Sequence, residues 1–290
     1  MGLARFVGKR IVAVIITAAV MVAVSYLLMY ASPGKWPASN RPMYLQVLDE
    51  VWQTMTLNFG TSFANPSVSI RHQLATAFPI SVILTVGSTI LAIVVGIPLG
   101  VLAALKRNTW IDSALTTLSL AGQAIPSYVL AVIMVLIFGV GIPGILPING
   151  WGTVGEAVLP IVALSAGTVG IITRYMRSSL VETLRQDYIR TAEAKGVRRG
   201  PLVIRHALRN SLTAMLTVLG PTFAFTVVSS VWVEQIFSIP GMGSLMNAAF
   251  PTRDIPLAIT SVFILSLMVL AANIVVDLLY RVFDPRVTLE

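Results

Sequence analysis

RTAEAKGVRRGPLVIRHALRN, residues 190–210, interrupts a chain that is otherwise built from long apolar runs. Read with its leader SLVETLRQDYI, residues 179–189, it has internal order. Leu180, Leu184, Tyr188 and Ala192 recur in steps of four, with Val181 and Ile189 beside them, which predicts one apolar stripe on a helix. Glu182, Arg185, Gln186, Arg190 and Glu193 face elsewhere. Gly196 suits a helix stop, and Lys195 just before it complements the negative end of the helix dipole. Gly200 tolerates a turn, and Pro201 suits the first position of a new helix that leads into the next apolar run. The expectation is a helix, a short kinked piece and a second helix.

Outward from this stretch, composition sets the class. The chain has 290 residues, of which 56% are hydrophobic and only 11% charged, with a mean hydropathy of +0.85. Soluble domains carry about 25% charged residues. A shortage of that size, spread over long runs, indicates a membrane protein. Six runs are long enough to cross a bilayer core of about 30 Å as helices. They lie near Ile11–Tyr30, Pro79–Leu105, Ser113–Val140, Val158–Thr173 (extending toward Leu180), Leu212–Val233 and Pro256–Val276. The runs are continuous rather than alternating, which excludes a closed barrel. The first has a charged start like a signal peptide, but at roughly 20 residues it exceeds the usual core of one and reads as a retained span.

The 20 Lys and Arg residues fix the orientation. With the N-terminus in the cytosol, sixteen fall on the cytosolic side, nine of them between Arg174 and Arg209. Only Lys35, Arg41, Arg71 and Arg253 fall outside. Positive residues stay inside, so both termini and residues 190–210 are expected in the cytosol. The net charge of +8 is therefore topological rather than a sign of nucleic-acid binding. The chain reads as one domain, with a cytosolic loop at about 177–210 and a first outer loop at about 31–78.

Within the spans, GIPLG (residues 96–100) sets two small residues four apart, as close helix packing requires. Pro98 is expected to kink the second span, with Pro126 and Pro221 bending others. The six run interiors hold no Asp, Glu, Lys, Arg or His; Glu234 falls just past the outer end of the fifth. That argues against a proton-driven transporter, and less strongly against a sodium-driven one.

Enzyme chemistry is thin. No cysteine is present, which removes disulfides, thiolate metal sites and cysteine nucleophiles. His72 and His206 are the only histidines, too few for a paired-histidine metal motif, and both read as surface residues. There is no G-x-S-x-G elbow and no phosphate-binding G-x-x-x-x-G-K-[ST] loop. If this chain drives transport, the energy comes from another chain. On physics alone residues 190–210 have three other readings: simple obedience to the positive-inside rule, a surface for anionic lipid, or a solvated helix without a partner.

DYIRTAEAKGVRRGPLVIRHALRN, residues 187–210, resembles the cytoplasmic loop of ABC importer permeases of the peptide/nickel type. Arg190, Thr191 and Ala192 occupy the E-A-A positions of that family's loop and Gly196 its glycine; arginine thus replaces the acidic residue. A proline expected early in the following span is missing, with NSLTAMLTV in its place. VGIPLGVLAALKRNTWID, AIPSYVLAVIMVLIFGV, VEQIFSIPGMGSLMNAAFPTRDIPL and NIVVDLLYRVFDPRV extend the likeness over nearly the whole chain. YASPGKW matches only loosely.

The resemblance implies an all-α, six-span type I importer permease in a prokaryotic cytoplasmic membrane, the first of two paired permeases. The chain itself would be non-catalytic and bind no cofactor. Two ATPase subunits or domains carrying ATP and magnesium, a second permease and an extracytoplasmic binding protein would complete the system. The coupling helix would comprise Tyr188, Arg190, Thr191, Ala192, Glu193, Ala194, Lys195 and Gly196. Short peptides are the implied cargo, with nickel complexes, opines and oligosaccharides as alternatives in the same family. With no charge in the runs, neutral polar groups are expected to line the pathway: Gln123, Thr168, Thr222, Ser229 and Asn273. A secondary transporter is the alternative of a different class.

Overall fold

The computed structural model describes residues 3–31 and 42–283; Lys35, Arg41, Arg286 and the PGKW stretch lie outside them. Every described element is a helix, apart from a single bridge between Thr61 and Ser69. In chain order they are α1 (Leu3–Ala31), α2 (Met43–Met55), α3 (Ile70–Leu105), α4 (Trp110–Ala124) and α5 (Ser127–Leu136), which continues as a π-helical turn over Ile137–Gly141. Then come α6 (Val154–Thr183), α7 (Asp187–Ala194) and α8 (Arg199–Pro201), which passes through a π-helical stretch, Leu202–Leu208, into α9 (Arg209–Ile236). α10 (Met242–Ala249) and α11 (Ile255–Phe283) complete the fold.

α3, α6, the Met215–Ile236 part of α9 and most of α11 are each long and apolar enough to cross a membrane. α1 carries a shorter apolar stretch, Val12–Leu28, and packs on α11 through Ala18, Val22, Ile259 and Phe263. The expected third span, Ser113–Val140, is not one helix. It breaks between Ala124 and Ser127, where α4 and the α5 segment meet at 95°. Pro126 explains the break: it has no N–H to donate and forces Ile125 into the extended conformation observed, φ −84° and ψ 116°. Pro98 and Pro221, by contrast, lie inside helices that continue through them.

Helices run past the apolar segments that predict them. α3 begins at Ile70 and, at 36 residues, extends about 54 Å, well beyond a hydrocarbon core of about 30 Å. Most of the SVSIRHQLATAF stretch, residues 67–78, thus forms the first turns of α3, and His72 is exposed as expected of a surface residue. Within residues 31–78, expected as the first outer loop, α2 forms and α3 already begins at Ile70. α6 likewise runs to Thr183, six residues past 177. Backbone hydrogen bonding continues beyond the apolar run because each added turn satisfies further N–H and C=O groups. At its start α6 has a capping box in which Thr153 and Glu156 satisfy each other's backbone N–H groups.

α3 and α6 form the closest helix pair. A Cβ on Gly96 would stand 2.8 Å from Ile172 Cγ2, and one on Gly100 would stand 2.6 Å from both Met176 Cβ and Thr173 O. Thr173 Oγ1 donates to the Gly96 carbonyl at 3.3 Å across the contact. The two glycines of GIPLG therefore serve packing, as small residues in membrane helices do. The same core continues through Leu180, Ile189, Leu202 and Leu216, tying the cytosolic ends of α6 and α9 to α7.

Candidate coupling elbow and transport cavity

The cytosolic elbow between α6 and α9 differs from the single striped helix expected. α6 ends at Thr183, a turn covers Leu184–Gln186, and α7 restarts at Asp187. The turn resets the helical phase, so Ile189 rather than Tyr188 carries the burial. Ile189 is 1% exposed against Leu180 and Leu202, whereas Tyr188 is 44% exposed. Tyr188 instead accepts a hydrogen bond at its Oη from Asn210 Nδ2, 2.7 Å away on α9.

The other expected coupling residues form the outward face. Arg190, Thr191, Glu193, Ala194, Lys195 and Gly196 are exposed, and Ala192 is half-buried. Arg190 lies 3.6 Å from Asp187 on the same face, an exposed pair of small energetic weight. Gly196 stops the helix at φ +79°, with its N–H on the Glu193 carbonyl at 2.9 Å and Val197 N–H on the Ala192 carbonyl at 3.2 Å. The reversal thus falls at Gly196 and not at Gly200, which is already helical, and Pro201 sits third in α8 rather than first. π-helical turns are rare and sit where a helix must be re-aimed; here one links the elbow to the fifth long helix. Ser211 Oγ and Thr183 Oγ1, 3.1 Å apart and buried, close the base of the elbow.

Just outward of the elbow lies a cavity of about 740 Å³ bounded by α4, α6 and α9. Of the five residues named from the sequence as pathway groups, Gln123 and Thr222 line it. The other three candidates lie elsewhere. Thr168 faces Thr226 at 3.4 Å in the buried α6–α9 seam, Asn273 packs against Gly220, and Ser229 is half-buried on α9. The cavity is not neutral: Arg174, Arg177 and Tyr175 share its wall. Asp112, at the start of α4, holds Arg177 in a two-pronged ion pair, Nε–Oδ1 2.5 Å and Nη2–Oδ2 2.7 Å. The same carboxylate accepts from the Asn108 N–H at 3.0 Å, bracing the tight α3–α4 turn.

Sequence reasoning passed over these charges because they lie outside the strict apolar runs. Arg174 and Arg177 stand three apart on one helix, a spacing that puts both on one face, and that was the available signal. Glu234 needs a firmer correction. It lies within α9, in the span Met215–Ile236, and is fully buried. Its Oε1 accepts from Ser81 Oγ at 2.7 Å, and its Oε2 from the Gly243 and Ser244 N–H groups at 2.7 and 3.2 Å. Ser81 Oγ in turn accepts from Met242 N–H at 2.7 Å. The carboxylate therefore caps α10 and fastens it to α3. Asp254, also buried, plays the matching part beyond α10: it accepts from Ser62 Oγ and Phe63 N–H of the outer loop and from Leu257 N–H at the start of α11.

Comparison with known proteins matches this architecture. Residues 96–289 match the family described as binding-protein-dependent transport system inner membrane component. The chain is 34% identical to the dipeptide transport system permease protein DppB of Bacillus subtilis, over 99% of each chain. It is 33% identical to the oligopeptide transport system permease protein OppB of Haemophilus influenzae and 32% identical to that of Escherichia coli, each over 98% of this chain and 99% of the relative. Among solved structures, an inward-facing MetNI methionine ABC transporter chain superposes with a TM-score of 0.61 at 19% identity, covering 74% of this chain and 97% of that one.

Proposed function

This chain belongs to the family of binding-protein-dependent transport system inner membrane components, and from that premise we propose that it forms one half of the pathway of an ATP-driven importer of short peptides. It is a multi-pass inner-membrane permease. A second permease supplies the other half, an extracytoplasmic binding protein delivers the cargo, and two separate ATPase subunits, which bind ATP and magnesium, supply the work. The peptide cargo rests on the dipeptide and oligopeptide relatives. Nickel complexes and oligosaccharides are weaker readings, since nothing in the structure favours them.

The observation that carries the mechanism is α7. It buries one side chain, Ile189, against the cytosolic ends of α6 and α9, and turns Arg190, Thr191, Glu193 and Lys195 to the cytosol. An ATPase that grips this face moves α7, and Ile189 with Leu202 passes the motion to α6 and α9, which bound the cavity. Such a switch needs contacts that differ between its two states; the apolar seat supplies the lever and the charged rim the register.

The test is uptake of a labelled dipeptide by proteoliposomes containing the complete importer. Gly196→Pro, or deletion of residues 190–195, is expected to abolish uptake and co-purification of the ATPase while membrane insertion persists. Proline cannot adopt φ +79° and removes the N–H that bonds Glu193. Wild-type levels of ATPase retained on either variant would refute the elbow as the docking point. Uptake that survives ATP depletion would instead favour a secondary transporter.

A further inference from the structure

Arg174 and Arg177 lie one turn apart on α6 and line the same cavity, yet among the described residues only Arg177 has an acidic partner. Arg177 is neutralised by Asp112. Arg174 Nη1 donates at 3.3 Å to Gln123 Oε1, a neutral group. The Gln123 amide is held in that orientation because its Nε2 donates to the Ser119 carbonyl at 3.1 Å. A guanidinium carries five donors in a planar fork matched to carboxylate. At Arg174 one is used and the rest are left to the cavity. Arg174 is exposed, so its charge faces the open cavity and attracts an anion that enters it over a Debye length or less.

We propose that Arg174, oriented by Gln123, is a carboxylate-binding subsite in the transport cavity that takes the C-terminal carboxylate of a peptide as it passes toward the cytosol. The proposal rests on the reading of this cavity as part of the pathway. Three features fit a peptide end. The volume, about 740 Å³, lies in the range that holds small ligands. Tyr175 and Phe225 offer apolar walls that tolerate varied side chains, and Thr222 adds a polar group opposite α6. A single cation that reads only the terminal charge lets side chains vary, which suits a pathway whose selectivity lies in the binding protein.

The chain has no cysteine, so S178C places a unique thiol on the cavity wall one turn from Arg174. In the complete importer without ATP, its reaction with a negatively charged methanethiosulfonate is compared with that of a positively charged one, each normalised to free thiol. The expected result is a preference for the anionic reagent that falls at least about threefold in S178C/R174Q and survives in S178C/R174K. Dialanine at millimolar concentration should slow the anionic reaction in S178C but not in S178C/R174Q. In uptake by proteoliposomes, R174Q should lower the maximal rate for dialanine about tenfold, with R174K recovering most of it. A charge preference unchanged by R174Q, or equal uptake by all three proteins, overturns the subsite and leaves the pathway intact. A thiol that reacts with neither reagent overturns the pathway reading itself, and the subsite with it.

Discussion

Glu234 is a carboxylate buried in the last turns of a membrane helix with hydrogen-bond donors, not a cation, around it. Three donors converge on it: a serine hydroxyl and the first free N–H groups of α10, where the helix dipole adds a favourable field. A Cβ on Gly241 would come within 2.5 Å of the carboxylate, so the glycine is what lets the backbone approach. Removing the acceptor leaves those donors buried and unsatisfied. Glu234→Ala is therefore expected to cost ~2–4 kcal/mol, read as a lower melting temperature of the purified complex and faster proteolysis between residues 238 and 254. Glu234→Gln, which keeps one acceptor, should fall between. A melting temperature unchanged by Glu234→Ala would show that α10 is held by its apolar contacts alone. As a bare letter, Glu234 looked like the end of an apolar run; only the approach of α3 and α10 made it a structural keystone.

At the scale of elements, α7 acts as a lever only if it is rigidly seated. Its seat is Ile189, which touches the helices on both sides of the elbow. Ile189→Ala removes that contact at a cost of ~2–4 kcal/mol without touching the exposed face. The expected phenotype is uncoupling: the ATPase still co-purifies, but stimulation of its hydrolysis by loaded binding protein falls several-fold. If the stimulation is kept, motion is transmitted through the α8–α9 segment instead. The break at Pro126 shows the same principle from the other side. The apolar run around it is long enough for a span, yet one residue without an N–H splits it and turns the pieces by 95°. α4 is then free to lie against α6, where Asp112 meets Arg177 and closes one side of the cavity.

For the whole molecule, orientation is the property on which everything else depends. Single cysteines in this cysteine-free chain report it directly. A thiol at Arg190 should react with a membrane-impermeant maleimide only after the cytosolic side is opened. A thiol at Ser67, exposed in the outer loop, should react in intact cells. The reverse pattern would place α7 out of reach of any cytosolic motor. The polar ends of the molecule are built differently. The outer end is fastened by two buried carboxylates, Glu234 and Asp254, on either side of α10. The elbow at the other end is seated by apolar packing at Ile189 and Leu202 with its own charges exposed, beside the buried Asp112 that pairs with Arg177. The first arrangement is directional and depends on hydrogen-bond geometry; the second is a non-directional apolar seat.

The membrane class and the helix stop at Gly196 were legible in the sequence, because each depends on quantities read along the chain. Runs of apolar residues and a glycine after a polar helix need no knowledge of neighbours in space. So does close packing at Gly96 and Gly100, whose spacing alone lets two backbones approach. What the tertiary structure decided were the pairings: Asp112 with Arg177, Glu234 with the start of α10, Ile189 rather than Tyr188 in the seat, and Gln123 and Thr222 together in one cavity while Thr168 and Asn273 went to helix seams. Asp112 and Arg177 lie 65 residues apart, Ser81 and Glu234 153, and even the nine residues from Glu234 to Gly243 include a chain reversal; a hydrogen bond or ion pair depends on distance and angle in space. Most of the expected stripe, Leu180, Leu184, Ile189 and Ala192, does join one apolar cluster, but the three-residue turn after Thr183 puts Ile189 in the seat and leaves Tyr188 exposed, a choice that periodicity read across the turn could not make.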